Sequence, residues 1–404
     1  METVGAQARR FSICPLRSSN LEASGPNTLK RLDADPILRV EPQLQRSVKH
    51  VDQMSDLTEL PDFKVVEATE GPEAALAAVQ EGGAVLRAGG LVAFPTETVY
   101  GLGADATNAQ AVATIFEIKG RPTFNPLIVH VKDEIQAAEL AEFNDMAQKL
   151  AHVFWPGALT LVLKRKADGP LALTATAGLD TVAVRVPAHP IAQALLHEAG
   201  VPIAAPSANK SGYVSPTQAI HILMQFKDRE GLNLIIDGGP CPIGVESTIL
   251  DLTGDAPVLL RSGGIAVEDI EAVVGPIKVD DTDDVKAPGQ LKSHYSPSIP
   301  LRINVDPKDR LKGESLITFG PDMPRRAAIN LSKTGDLVEA AANLFTMLRA
   351  LDMPGIRGIA VTPIPNVGLG RAINDRLERA SAPKDGEKKD GPPKAHDPIG
   401  NIQI

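Results

Sequence analysis

The chain has 404 residues, 43% hydrophobic and 23% charged, a balance that fits a soluble globular protein of two or three domains. A net charge of −9 and 3% aromatics argue against a large nucleic-acid footprint or a base-stacking platform. Cys14 and Cys241 are the only cysteines, which excludes a disulfide framework or a cysteine-built zinc site within one chain and fits a reducing compartment, read as the cytoplasm; no apolar run nears the ~20 residues of a membrane helix.

Residues 1–62 show no sustained periodicity and no apolar core of a secretory signal. Their mixture of arginines and acids half fits an organelle transit peptide; a disordered extension or an over-long gene start is the expectation. Ala74 to Arg87 has helical spacing, although Gly82-Gly83 would cost about 1 kcal/mol each relative to Ala. Leu91 to Phe94 reads as a short buried strand, and Pro95 ends its pairing. Thr96-Glu97-Thr98, Tyr100, Gly101 and Gly103 follow at once. Hydroxyls at a strand end are typical of a ligand site in an α/β sheet, and equally compatible with a Thr-rich turn.

Thr107 or Asn108 can cap a helix through Ile118, with Gly120 at its C′ position. Lys119 and Arg121 then form either an anion clamp or a complement to the helix dipole. Pro126 to Val131 is a strand carrying His130, helices are expected over 133–141 and 143–154, and strands over 159–163 and 181–187. Arg185 falls within that last apolar pattern, where a guanidinium needs an anionic ligand or a structural salt bridge. A helix over 188–199 leads to a strand at 202–206 that ends in Ser207, Ala208 and Asn209. A helix over 216–226, a strand at 233–236, the strand after Ser247 and a strand closing on Arg261 complete the unit. At least four strand ends thus carry Ser, Thr, Asn, His or Arg, as a cleft for a polar anionic substrate requires.

The composition then shifts. Residues 276–299, with an acidic run and Ser293-His294-Tyr295-Ser296-Pro297, read as a linker. Strands at 315–319, 326–331 and 357–361 alternate with helices at 336–351 and 368–380, which implies a small parallel sheet over 300–380. Asp375-Arg376 on the last helix reads as a solvated face, and 381–404 as a disordered tail. The chain has no P-loop, no His-Glu-x-x-His and no Gly-x-Ser-x-Gly elbow. Hydroxyls, amides and cations suit the positioning of phosphates rather than nucleophilic catalysis by a side chain.

Pro95-Thr96-Glu97-Thr98-Val99-Tyr100-Gly101-Leu102, Lys119-Gly120-Arg121-Pro122, Thr181 to Arg185, Pro206-Ser207-Ala208-Asn209, Glu246-Ser247-Thr248 and Leu260-Arg261 together resemble the YrdC-like threonylcarbamoyl-AMP synthases. The His294-Tyr295 linker and the unit behind it resemble the long, two-domain form. The resemblance implies an α/β fold, with a YrdC-like twisted mixed-sheet domain at 63–275, a linker or lid, and a smaller C-terminal Rossmann-like α/β domain. It implies condensation of L-threonine, bicarbonate or CO2, and ATP with Mg2+ into L-threonylcarbamoyl-AMP and pyrophosphate. A tRNA threonylcarbamoyl-transfer enzyme would use that product to modify adenosine 37. By the same resemblance Thr98, His130, Arg185 and Ser247 line the threonine pocket. Lys119 and Arg121 are the catalytic cations, and Arg121, Asn125, Thr181, Ser207, Asn209, Ser215, Arg261 and Tyr295 contact ATP; no protein-held metal is implied. Two other classes stand beside it. An RNA-binding translation-fidelity factor is disfavoured as the main activity by the acidic balance and the few aromatics, while a weak RNA contact stays open. A hydrogenase-maturation carbamoyltransferase would need cysteine zinc fingers that two cysteines cannot make.

Overall fold

The computed structural model describes residues 63–280, 287–289, 294–322, 324 and 329–383, so the expectations for 1–62, for the acidic run and for 384–404 lie outside the described residues. Residues 63–280 build one mixed sheet. Its strands are β1 (Lys64–Glu67), β2 (Val92–Phe94), β3 (Gly101–Asp105), β4 (Ile128–His130), β5 (Leu159–Lys164), β6 (Thr181–Arg185), β7 (Ile203–Ala204), β8 (Leu234–Asp237), β9 (Thr248–Asp251), β10 (Val258–Arg261) and β11 (Lys278–Val279). They lie in the order β1-β8-β2-β3-β7-β4-β6-β5-β9-β10-β11. The helices between them are α1 (Pro72–Arg87), α2 (Ala109–Lys119), α3 (Glu134–Leu140), α4 (Asp145–Phe154), α5 (Pro190–Ala199), α6 (Ala219–Phe226) and α7 (Val267–Val274).

Local chemistry accounts for the boundaries. Asn108 caps α2 by accepting from the Gln110 and Ala111 amides, and Gly120 ends it in the left-handed conformation. The glycine pair in α1 is a packing device. A Cβ on Gly82 would lie 2.9 Å from both Ile236 Cδ1 and Leu195 Cδ1, so the pair lets α1 settle onto α5 and the sheet.

Alternation along the strands divides the two faces. Ala93, Val129, Leu161, Val184, Ala204 and Leu250 point to the main core. On the opposite face α1 and α5 cover Val92, Phe94, Ile203, Leu234 and Ile236. Among the described residues the rest of that face, floored by Ile128, Val162, Ala183, Ile249 and Leu260, packs on no helix and meets Ala287 of the linker instead. That uncovered half is where the polar residues collect.

Residues 301–383 form a second, four-stranded parallel sheet: β12 (Leu301–Arg302), β13 (Glu314–Thr318), β14 (Ile329–Asn330) and β15 (Gly358–Val361), ordered β12-β15-β13-β14. Its two helices are α8 (Leu337–Leu351) and α9 (Leu369–Ser381). One apolar cluster runs from this unit through Tyr295 to Val99, Val214 and Val245 of the first, so the two domains share buried surface.

Arg376 corrects the solvated-face expectation. It is fully buried, bonded to Glu246 of the first domain and to Asp375 beside it. A buried guanidinium is retained only where carboxylates meet it, and here two do.

Candidate active site

A cleft with about 510 Å3 of empty volume, its open mouth included, lies on the uncovered face. Thr96, Thr98, Arg121, His130, Arg185, Ser207, Glu246, Ser247, Arg261 and Tyr295 line it, together with backbone of Gly101, Pro288 and Gly289. Strand ends contribute, as expected, but the cleft spreads along the sheet face rather than only at its rim. Ile128 pairs in register with Ala183 and His130 with Arg185, so these side chains share one face.

Arg185 is held by three hydrogen bonds. Its Nε donates to Gly157 O at 3.1 Å, Nη1 to Thr98 Oγ1 at 3.1 Å, and Nη2 to Glu97 Oε1 at 2.5 Å. The structural salt bridge and the ligand role can therefore coexist, since three of five N–H groups are used and two remain. Thr96 organises the loop below it, accepting from the Thr98 and Val99 amides and donating to Val99 O. His130 is buried, and desolvation, with Arg185 nearby, pulls it down to about 3, so at neutral pH it is an uncharged imidazole. Ser247 exchanges a 2.7 Å hydrogen bond with Thr160 and accepts from Arg261.

The other lining cations are held mainly by carbonyls. Arg121 donates from Nε to Asn125 O, and from Nη2 to Asn125 Oδ1 at 2.6 Å and Pro126 O at 2.9 Å, which leaves Nη1 for a ligand. Burial, with Arg261 adding to it against an opposing effect of Tyr295, lowers Arg121 to about 10. Arg261 grips Ser247 O and reaches Pro288 O at 2.9 Å, so the cation also holds the linker.

The remaining expected residues stand further back. Lys119 does not line the cleft. Its ammonium donates to Ser207 O at 2.6 Å and to Asn209 O, fixing the 207–209 loop from behind, and burial pulls its pKa well down. Asn209 uses its amide on Lys210 O and Tyr213 O. Ser215 donates to Glu246 Oε1 at 2.5 Å. Thr181 shares the face of Arg185 but sits at the other end of β6, roughly 13 Å along the strand, outside the lining.

The roof is the linker. Tyr295 is 1% exposed, with its ring stacked on Phe345 at 5.6 Å, its neighbour His294 edge-on at 4.1 Å and the Arg376 guanidinium 5.1 Å from its centroid. Glu97, Glu246, His294 and Arg376 are site residues that the sequence reading did not assign. For Arg376 a signal existed. Ala372, Ile373, Leu377 and Ala380 trace the buried stripe of α9, and position 376 falls inside it. Several buried polar atoms around the cleft, Glu97 Oε2, Asn125 Nδ2 and Asn209 Oδ1, have no partner among the described residues, which is what a site built for a polar ligand leaves open.

Comparison with known proteins bears on this geometry. Residues 84–263 match the Sua5_yciO_yrdC family model, described as telomere recombination, and residues 265–382 match the threonylcarbamoyl-AMP synthase C-terminal domain. Over 336 residues the chain is 44% identical to the threonylcarbamoyl-AMP synthase of Bacillus subtilis, covering 78% of this chain and 94% of that one. Over 315 residues it is 45% identical to the threonylcarbamoyl-AMP synthase of Pyrococcus abyssi, covering 73% and 92%. The crystal structure of P. abyssi Sua5 complexed with L-threonine superposes with a TM-score of 0.72 at 42% identity, covering 79% of this chain and 97% of that chain.

Proposed function

The chain belongs to the threonylcarbamoyl-AMP synthase family, and on that premise we propose that the cleft joins L-threonine, bicarbonate-derived carbon and ATP into L-threonylcarbamoyl-AMP. The activity is a nucleotidyl transfer serving threonylcarbamoyl modification of tRNA. A downstream transfer enzyme would take the product on to adenosine 37, in the cytoplasm. Among the described residues no helix is long and apolar enough to cross a membrane.

One observation carries the assignment of roles. Thr98, His130, Arg185 and Ser247 line one cleft together with Arg121, Ser207 and Arg261. The two spare N–H groups of Arg185 suit the threonine carboxylate, where a charge-assisted fork is worth about 1.5–3 kcal/mol per bond. Neutral His130 and Ser247 suit the amine and hydroxyl. The amine condenses with bicarbonate to a carbamate, with loss of water. A carbamate oxygen then attacks the α-phosphorus as the bond to the β-phosphate oxygen breaks, and pyrophosphate leaves. Arg121 and Arg261 sit where charge builds on the phosphates, and a fixed guanidinium needs no reorganisation at that moment. Lys119 and Asn125 hold the loop and the guanidinium, respectively. The carbamate and the mixed anhydride hydrolyse in water, so a roof that excludes solvent protects both, which is the part proposed for Tyr295.

Mg2+ would enter with ATP. The residues present fit it as the substrate's counter-ion: among the described residues no cluster of acids, histidines and cysteines forms a cage, and Glu246 is already taken by Arg376 and Ser215. The test is isotopic. With ATP labelled at the α-phosphate, threonine and bicarbonate, the label should appear in an adenylate whose mass includes threonine and one carboxyl carbon. ADP and orthophosphate as products would overturn the reading.

A further inference from the structure

Arg376 reaches the back of the cleft wall from the C-terminal domain, where it meets Glu246. It is 0% exposed. Its Nε donates to Glu246 Oε2 at 2.7 Å, its Nη1 to Asp375, and its plane lies against the Tyr295 ring. Nη2 is buried with no partner among the described residues. Glu246 lines the cleft and is bonded through its other oxygen to Ser215. Burial alone would raise the carboxyl of Glu246, but Arg376, with help from Arg261 and Ser215, brings it below the ordinary value. Elsewhere among the described residues the domains join without a second buried carboxylate–guanidinium pair: Gly244 packs on the backbone of Ala341 and Ala342, Thr217 meets Thr346, and Arg349 donates to the Val214 and Ser215 carbonyls. An interface that needed only adhesion could have used such contacts throughout, because a buried ion pair is rarely more stabilising than apolar packing.

We propose that Arg376 is a positioning residue for the synthase reaction: it neutralises Glu246 and braces Tyr295, so that the second domain completes the ATP side of the cleft. The proposal rests on the functional reading above. Without Arg376, Glu246 is an unpaired carboxylate in a cleft that must accept a triphosphate, and its nearest cationic recourse is Arg261. That turns Arg261 away from the phosphates and leaves the Tyr295 ring against Phe345 and His294 without the guanidinium.

The experiment compares wild type with Arg376→Met, Arg376→Lys and the double variant Arg376→Met/Glu246→Gln. In the first arm, ligand-free protein is digested with chymotrypsin below the onset of melting. Cleavage after Tyr295 should be about tenfold or more faster in Arg376→Met, the loss of one buried charged contact. In the second arm, adenylate formation is measured against ATP. The KM for ATP should rise about tenfold in Arg376→Met with kcat within about threefold, and adding Glu246→Gln should return most of it, since the carboxylate is then gone. Arg376→Lys should lie between, because an ammonium keeps the charge but not the planar fork. A lower melting temperature with unchanged cleavage, unchanged KM and no rescue by Glu246→Gln would make Arg376 a structural residue and overturn the proposal. If Arg376→Met does not fold, wild-type KM and cleavage in Arg376→Lys together with Glu246→Gln would overturn it too. Wild-type protein that forms no threonylcarbamoyl-adenylate would overturn the functional reading alone, and the ligand-free cleavage arm would still decide whether Arg376 braces the roof.

Discussion

Two buried guanidinium groups serve the cleft from different domains, Arg185 in its lining and Arg376 behind Glu246, and their settings differ. Arg185 leaves the sheet domain from β6, is 3% exposed and meets Glu97 at 2.5 Å. Arg376 leaves α9 of the second domain, is 0% exposed and meets Glu246 at 2.7 Å. Around Arg185 the other partners are local to the site, Thr98 and the Gly157 carbonyl. Around Arg376 they are an aromatic ring from the linker and Asp375 beside it on α9. The same chemistry therefore does two jobs. One pair pins the anchor loop where threonine is proposed to bind, and the other ties the roof to the floor.

The largest effect should come from Arg185→Ala. It removes the proposed carboxylate fork and leaves Glu97 buried with neither oxygen paired, since Glu97 Oε2 already has no partner among the described residues. Breaking a buried pair from one side costs about 3–5 kcal/mol, and threonine use should fall by roughly a hundredfold. Arg185→Lys should restore little. Normal turnover with a lowered melting temperature would reduce Arg185 to its salt bridge and end its likeness to a ligand-binding group.

Acid should strike both regions at once. His130 beside Arg185, His294 beside Arg376 and His221 beside Arg349 are all pulled from 6.5 to about 3, in each case chiefly by burial. The folded state therefore binds fewer protons than the unfolded state between those values. Stability is full above pH 6.5 and is lost as pH falls toward 3, by roughly 1 kcal/mol per pH unit for each histidine. Glu246, also depressed, adds its loss below about 4.5. Denaturant midpoints at pH 7 and pH 5 check this, and equal midpoints would show that the histidines titrate freely.

Gly244→Ala probes the domain contact itself. Gly244 has φ +78°, and a Cβ there would run into the backbone of Ala341 and Ala342 in α8. Neither side can yield by turning a side chain, so the domains must separate slightly, at a cost of about 1–3 kcal/mol. If the second domain positions the cleft, the KM for ATP should rise in the same variant. Lost stability with an unchanged KM would mean that docking and catalysis are separable.

Much of this arrangement was legible in the sequence. A cap at Thr107 or Asn108, the glycine stop at Gly120 and most of the strands and helices follow from local rules that tertiary packing did not override. β1, β3, α7, β11 and β12 were missed, β3 because Gly101 and Gly103 are poor strand formers. They are present because a Cβ on Gly103 would lie 2.8 Å from Phe94 and from Ile203. At the site, Arg185 stood out as a cation in an apolar strand. Arg376 did not, because Asp375 beside it made the pair look like a solvated surface, and only the helical phase of Ala372, Ile373, Leu377 and Ala380 betrays its burial. Thr181 shows the opposite limit: a motif can place a residue on the right face without saying how far along the strand the cleft extends.

The smallest effect should come from a second ion pair between the same domains. Arg371 on α9 meets Glu268 on α7 at 3.1 Å, with side chains 41% and 44% exposed. Its position in sequence is five residues from Arg376, and it spans the same boundary. What separates the two is water. An exposed pair gains little over its solvated partners and loses side-chain entropy, so Arg371→Ala should cost no more than about 0.5 kcal/mol. The KM for ATP and the rate of cleavage after Tyr295 should not change. Measured beside Arg376→Met in one set of melts and assays, this variant separates attachment from positioning. If Arg371→Ala raised the KM as far as Arg376→Met, then any loosening of the boundary would disturb the cleft, and burial against Glu246 and Tyr295 would have no special part in it.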